Sequence, residues 1–160
     1  MTTKRSITRG TFTIERVFPN CTPARAFAAF STSEGKQKWF GGPPEEWQPI
    51  KREFAFGVGK HEIESGRHKS GVVSSFDACY YDIVPNERII YTYEMHINDA
   101  RTSVSVATVE LQADGDGTTL TFTEQGAFLD GLDSGELREN GTGSLLGFLD
   151  SYLAGERASA

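Results

Sequence analysis

The feature that most constrains this chain is a change of hydrophobic period. From Glu46 to Phe128, six consecutive segments read as strands: "EWQPIKREFAF", "GKHEIES", "GVVSSFDACYYDIV", "ERIIYTYEMHI", "RTSVSVATVEL" and "TTLTFTEQGAF". Alternation at period two is the mark of a strand with one face buried. The connections carry turn chemistry, namely "GVG" at Gly57 to Gly59, "VPNE" around Pro85, "NDA" at Asn98 and "DGDG" at Asp114 to Gly117. Segments joined this tightly predict an antiparallel meander. The period then switches: Leu137, Gly141, Ser144, Leu145, Phe148, Leu149, Tyr152 and Leu153 recur at three and four residues, the stripe of a helix laid on a sheet.

Ahead of the meander, "TFTIERVF" from Thr11 to Phe18 is one more half-buried strand, stopped by Pro19. Thr22 before Pro23 has the form of an N-cap followed by proline at the first helical position. Phe27 and Phe30 give the short helix that follows its apolar face. "STSEGKQKWF" adds a turn or two ending at Trp39 and Phe40, before "GGPPEE" forbids regular structure. The expectation is an α+β domain over 1–160, core about 11–155, with a curved antiparallel sheet of about six to seven strands, two short helices after strand 1 and a long C-terminal helix. At 160 residues the chain is long enough to bury one core.

Sixteen basic against 22 acidic residues, net charge −6, argue against nucleic acid as a partner, because sequence-independent phosphate attraction needs a basic surface. No apolar run approaches the roughly 18 residues of a membrane span, and no apolar leader follows Met1. Cys21 and Cys79 form neither a zinc pattern nor a disulfide framework, so the sequence reads as a cytoplasmic protein. His61 and Glu62 are adjacent and point to opposite faces of a strand, and "DGDG" lacks the distal glutamate of a calcium loop; no metal or cofactor is expected. "FGVGK" lacks the spacing of a phosphate loop. Homodimerisation is left open, since no heptad or patch speaks for it.

The alternation of "TLTFTEQGAF" places Glu124 on the same face as Leu120 and Phe122. A carboxylate there is either a hydrated rim residue or a polar anchor facing a hollow, paired or protonated because an isolated buried charge is costly. Ser103, Ser105 and Ala107 share the inward face with Val109 and Leu111, while the next strand presents Ile89, Tyr91, Tyr93, Met95 and Ile97. Very small side chains thus face very large ones. Gly141, Gly143 and Gly147 each cost about 0.8 to 1.0 kcal/mol in a helix. They mark a close helix-to-sheet approach, a late helix start, or space for a ligand. The candidate site is a mostly apolar pocket walled by Trp39, Tyr91, Tyr93, Met95, Phe128, Leu145 and Phe148, with Glu124 and Arg101 as its polar pair. No nucleophile signature is present, and Glu124 beside Tyr91 or Tyr93 is the one general acid–base constellation, should the chain be an enzyme.

The order of elements, with "FTIERVFPNCTPARAFAAF", "KQKWFGGP", "YYDIVPNERIIYTYEM", "SVSVATVEL" and "TTLTFTEQGAF", resembles the SRPBCC superfamily, also called START-like or Bet v 1-like. Within it the chain is most similar to bacterial proteins that look like the C-terminal domain of the heat-shock-protein-90 ATPase activator. That resemblance, over about Thr11 to Leu153, implies a helix-grip fold with a cavity for small hydrophobic ligands. It also implies two alternatives: a chaperone-activating interaction, and a cyclase or hydrolase working in the cavity. Many relatives open the C-terminal helix with a Gly-Trp pair. Here Ser144 follows Gly143, which implies a larger or differently shaped pocket.

Overall fold

The computed structural model describes residues 4–159, with side chains to residue 155. Its elements are β1 (Ile7–Phe18), α1 (Pro23–Ser31), α2 (Ser33–Gln37), β2 (Trp47–Phe54), β3 (His61–His68), β4 (Val73–Val84), β5 (Arg88–Ile97), β6 (Ala100–Asp114), β7 (Gly117–Leu129) and α3 (Gly135–Ser159). All seven strands join one antiparallel sheet in the order β1-β7-β6-β5-β4-β3-β2. The meander runs from β2 to β7, and β1 closes on β7. The two short helices therefore carry the chain from one edge of the sheet to the other.

Local chemistry explains the boundaries. Thr22 Oγ1 accepts the Arg25 N–H at 3.2 Å, with Pro23 opening α1 as the sequence predicts. Asn86, Asn98 and Asp99 take positive φ in the hairpin turns. Phe12, Ile14 and Phe18 of β1, Leu120 and Phe122 of β7, Val109 of β6 and Ile89 of β5 are buried together with Leu146, Leu149 and Leu153 of α3.

The helix stripe departs from the expected set. Thr142, Leu146, Leu149 and Leu153 are its buried line, Leu145, Phe148 and Tyr152 flank it, and Leu137 is 63% exposed. The expected Leu145, Phe148, Leu149, Tyr152 and Leu153 all lie on or beside this line; only at its start does the buried residue, Thr142, stand one position, or about 100° of rotation, beyond the expected Gly141. Nor do the glycines inside α3 mark close approach. A Cβ at Gly141 or Gly147 would meet nothing within 4 Å, and α3 already begins at Gly135. Close contact occurs at that first residue, where a Cβ on Gly10 of β1 would lie 3.2 Å from Gly135 Cα. Backbone packs on backbone there and pins the start of α3 to the sheet.

Candidate functional site

Beyond this pinned start, helix and sheet do not meet fully. A hollow of about 470 Å³ lies between the inner sheet face, α3 and the α2–β2 connection. Strand pairing shows how the sheet makes room. Tyr91 lies opposite Ala107, Tyr93 opposite Ser105 and Met95 opposite Ser103, so large rings on β5 stand beside small side chains on β6. Tyr91, Tyr93, Met95 and Phe76 form the floor, Trp39, Phe40 and Trp47 one wall, and Leu145, Leu146 and Phe148 of α3 the roof. The exposed lining residues Glu46, Gly141 and Ser144 mark its mouth. The rings hold one another edge to face: Phe40 and Phe76 have centroids 4.9 Å apart, and Trp39 sits 5.1 Å from Phe30. Trp39 is further fixed by its indole N–H, which donates to the Ala29 carbonyl at 3.0 Å.

Trp47 owes its place to glycine. A Cβ on Gly66 would come within 2.1 Å of the indole, and one on Gly41, at φ +97°, within 2.6 Å. The ring is clamped between two positions that lack a side chain, and Arg52 lies over it at 5.2 Å.

Of the residues expected to form the site, Trp39, Tyr91, Tyr93, Met95, Leu145 and Phe148 all face this hollow. Three do not. Arg101 is exposed and lies 3.5 Å from Glu94, away from Glu124. The reason is a β-bulge: Met95 pairs with Ser103 but His96 with Arg101, so Thr102 is an extra residue that reverses the alternation before Ser103. Phe128 is buried beneath the start of α3 and lines no part of the hollow, with Gly10, Gly126 and Gly135 packed around its ring. Glu124 is fully buried behind Tyr93 and is not a wall residue either.

The cation that meets Glu124 is Arg138, from the first turn of α3. Its Nη1 lies 3.4 Å from Glu124 Oε2 and donates to the Tyr93 hydroxyl at 2.8 Å, while Nη2 donates to Ser103 at 2.6 Å and Asp133 at 2.7 Å. Tyr93 completes the network by donating to Glu124 Oε1 at 2.8 Å. Burial raises the Glu124 carboxyl above its ordinary value, opposed by the Tyr93 hydrogen bond and the Arg138 charge. The Tyr93 phenol is pushed far up, first by burial and then by Glu124, and stays protonated. Ser134 starts this turn by accepting the Leu137 N–H at 3.2 Å. Position 138 carries no mark in the sequence, because its partners come from three strands and a loop.

A second acidic centre also escapes sequence reading. In "HEIES" the lone apolar Ile63 suggests that its own face is the buried one. Instead Glu62 and Glu64 turn inward, 0% and 3% exposed. Glu62 Oε1 accepts from Tyr80 at 2.6 Å and from Lys36 at 3.1 Å. The Lys36 ammonium is itself buried and lies 4.5 Å from the centre of the Phe40 ring. The only detectable signal was the i, i+2 spacing of two carboxylates on one strand face. Among the described residues no group of three or more His, Cys, Asp and Glu could hold a metal ion, and no helix is long and apolar enough to cross a membrane.

Comparison with known proteins agrees with this architecture. The chain is similar to a solved structure of an uncharacterised protein from Rhizobium leguminosarum, at 39% identity and a TM-score of 0.88, covering 95% of this chain and 99% of that one. It is also similar to a Rhizobium loti protein at 40% identity and a TM-score of 0.82, covering 91% and 98%. An AHSA1-like protein from Aeromonas hydrophila shares the fold at 13% identity and a TM-score of 0.71, covering 92% and 94%. No match was found among curated proteins. The family model described as Activator of Hsp90 ATPase homolog 1-like protein matches residues 20–154. With its seven-stranded open sheet gripping a C-terminal helix, the chain belongs to that family, within the SRPBCC superfamily.

Proposed function

We propose that this protein binds a small, chiefly apolar molecule in the hollow between its sheet and α3. The observation that carries this reading is the space itself. About 470 Å³ walled by aromatic and aliphatic side chains falls within the usual size of small-molecule sites. A core at ordinary packing density leaves no such room. The fold and family support a ligand-binding or co-chaperone-like role, and the hollow favours the first. Glu124 has no face on the hollow, so the acid–base chemistry once open to it lacks access to a bound molecule. Cys21, whose thiol donates to the Thr22 carbonyl at 3.6 Å, and Cys79 are not joined in a disulfide, which fits a cytoplasmic setting.

A thermal-shift screen over lipids and aromatic compounds tests the proposal. A ligand at a hundred times its Kd stabilises the native state by about 2.7 kcal/mol and raises Tm accordingly. Gly141→Leu is the companion variant. Its Cβ enters open space at the mouth, so the helix gains up to about 0.8 kcal/mol while ligand entry is obstructed. Higher Tm without ligand and a smaller shift with it are expected; equal shifts in both proteins, or none in either, would refute the reading. The family description favours a second reading, contact with an Hsp90-type ATPase. Pulldown of the host chaperone that survives Gly141→Leu would support it.

A further inference from the structure

Among the described residues that line the hollow, Glu64 alone has a buried side-chain oxygen that makes no hydrogen bond. His68 Nε2 and the Ser74 hydroxyl, which also line it, are hydrogen-bonded to each other at 2.9 Å. Arg138, across the space, is committed to Glu124, Tyr93, Ser103 and Asp133. Glu64 lines the hollow and is 3% exposed, yet its Oε2 makes no hydrogen bond. Arg52 Nε lies 3.2 Å from that oxygen, within ion-pair range, but it too makes no hydrogen bond. A buried carboxylate oxygen left without a donor costs more than one that has found a partner, and native proteins rarely leave one so.

We propose that Glu64 is the recognition point of the hollow, and that the molecule bound there is an apolar body carrying a hydroxyl group that donates to the Glu64 carboxylate. The proposal rests on the hollow being a binding site. The surrounding charges select the class. Glu46 and Glu64 both line the space, and the charge of Arg138 is already met by Glu124 and Asp133, so an anionic ligand finds no free cation. A cationic ligand would meet Arg52 beside the same oxygen. A neutral donor completes the carboxylate without like-charge repulsion, and the apolar body keeps water away from the bond.

The same geometry makes binding depend on protonation. Burial, reinforced by Glu62 on the same strand, raises Glu64 to about 7, against the pull of Arg52 from β2 and Lys36 from α2. Tyr80 is the titratable group that β4 adds to this cluster, and it donates to Glu62. Ionised Glu64 is the stronger acceptor, so the preference for a donor grows as pH rises through about 7.

The test uses two probes of the same body, 4-ethylphenol and 4-ethylanisole, which differ in the hydroxyl hydrogen. Wild type should prefer the phenol by roughly ten-fold or more, the range for a hydrogen bond to a charged group. Glu64→Leu should lose that preference while still binding the anisole. Glu64→Gln, which keeps the shape, should keep a reduced preference without its rise between about pH 6 and 8. Equal affinities for the two probes in wild type, or a preference and pH profile unchanged in both variants, would overturn the role of Glu64 and leave the hollow as a binding site. Failure of both probes to bind wild type at about 1 mM, together with a featureless thermal-shift screen, would overturn both.

Discussion

Two buried acidic centres sit on the inner face of one sheet, and they are built differently. Around Glu124 every charge finds partners: Tyr93 and Arg138 close on the carboxylate, and Asp133 and Ser103 occupy the far side of the guanidinium. Around Glu64, one oxygen of each of two carboxylates and one guanidinium nitrogen are left without hydrogen bonds, and Glu64 itself lines the hollow. Burial of charge can be repaid locally only when the partners arrive in hydrogen-bonding geometry. The first centre does this and ties the start of α3 to β5, β6 and β7. The second does not, and one of its members, Glu64, lines space that a ligand can enter. A satisfied network reads as architecture, and an unsatisfied one beside a cavity reads as recognition.

The strongest way to break that contrast is Arg138→Met. It strips the cation from a fully buried carboxylate and cuts the link between helix and sheet, for an expected loss of about 3 to 5 kcal/mol in urea denaturation. A loss below 1 kcal/mol would mean that the closed network is not what secures α3.

The pH dependence of stability comes next. Glu64 sits at about 7 in the fold against an ordinary 4.5. Between these values the native state holds more protons than the unfolded chain, so stability falls as pH rises through this window. The full drop is on the order of 3 kcal/mol. Glu124 is raised as well and adds to the slope with the same sign. Glu64→Gln should flatten the curve between pH 4.5 and 7 by the Glu64 share, and denaturant midpoints across that range measure it. The smallest effect expected is that of Arg52→Met, about 1 kcal/mol or less, because its loss lets Glu64 take up a proton and leaves no hydrogen bond between them to break. The mutation should shift the pH profile upward more than it lowers stability at acid pH.

Much of the architecture was legible in the chain. The period-two segments from Glu46 to Phe128 became β2 to β7, and Thr22-Pro23 became the start of α1. Alternation put Glu124 on the apolar face and left open a hydrated rim residue or a partnered anchor facing a hollow; it is buried and bonded to Tyr93, but it does not line the hollow. Arg101 was misassigned for the converse reason. One extra residue at Thr102 reverses every face before it, and nothing in "ARTSV" announces the bulge. The helix stripe was read correctly from Leu145 to Leu153 and went astray only at its start, where Leu137 and Gly141 are exposed and Thr142 is buried.

Sequence by itself determined the class of each element, the hairpin order and the mixture of tyrosines with serines that leaves a sheet unable to pack flat against a helix. Those are local properties, set by backbone preferences and by the spacing of apolar residues. Tertiary structure alone decided which cation meets Glu124, which face of "HEIES" goes inward and how far the hollow extends. Residues more than ten positions apart become neighbours only through strand register and helix rotation, and the energy of a buried charge depends on those neighbours rather than on its own place in the chain.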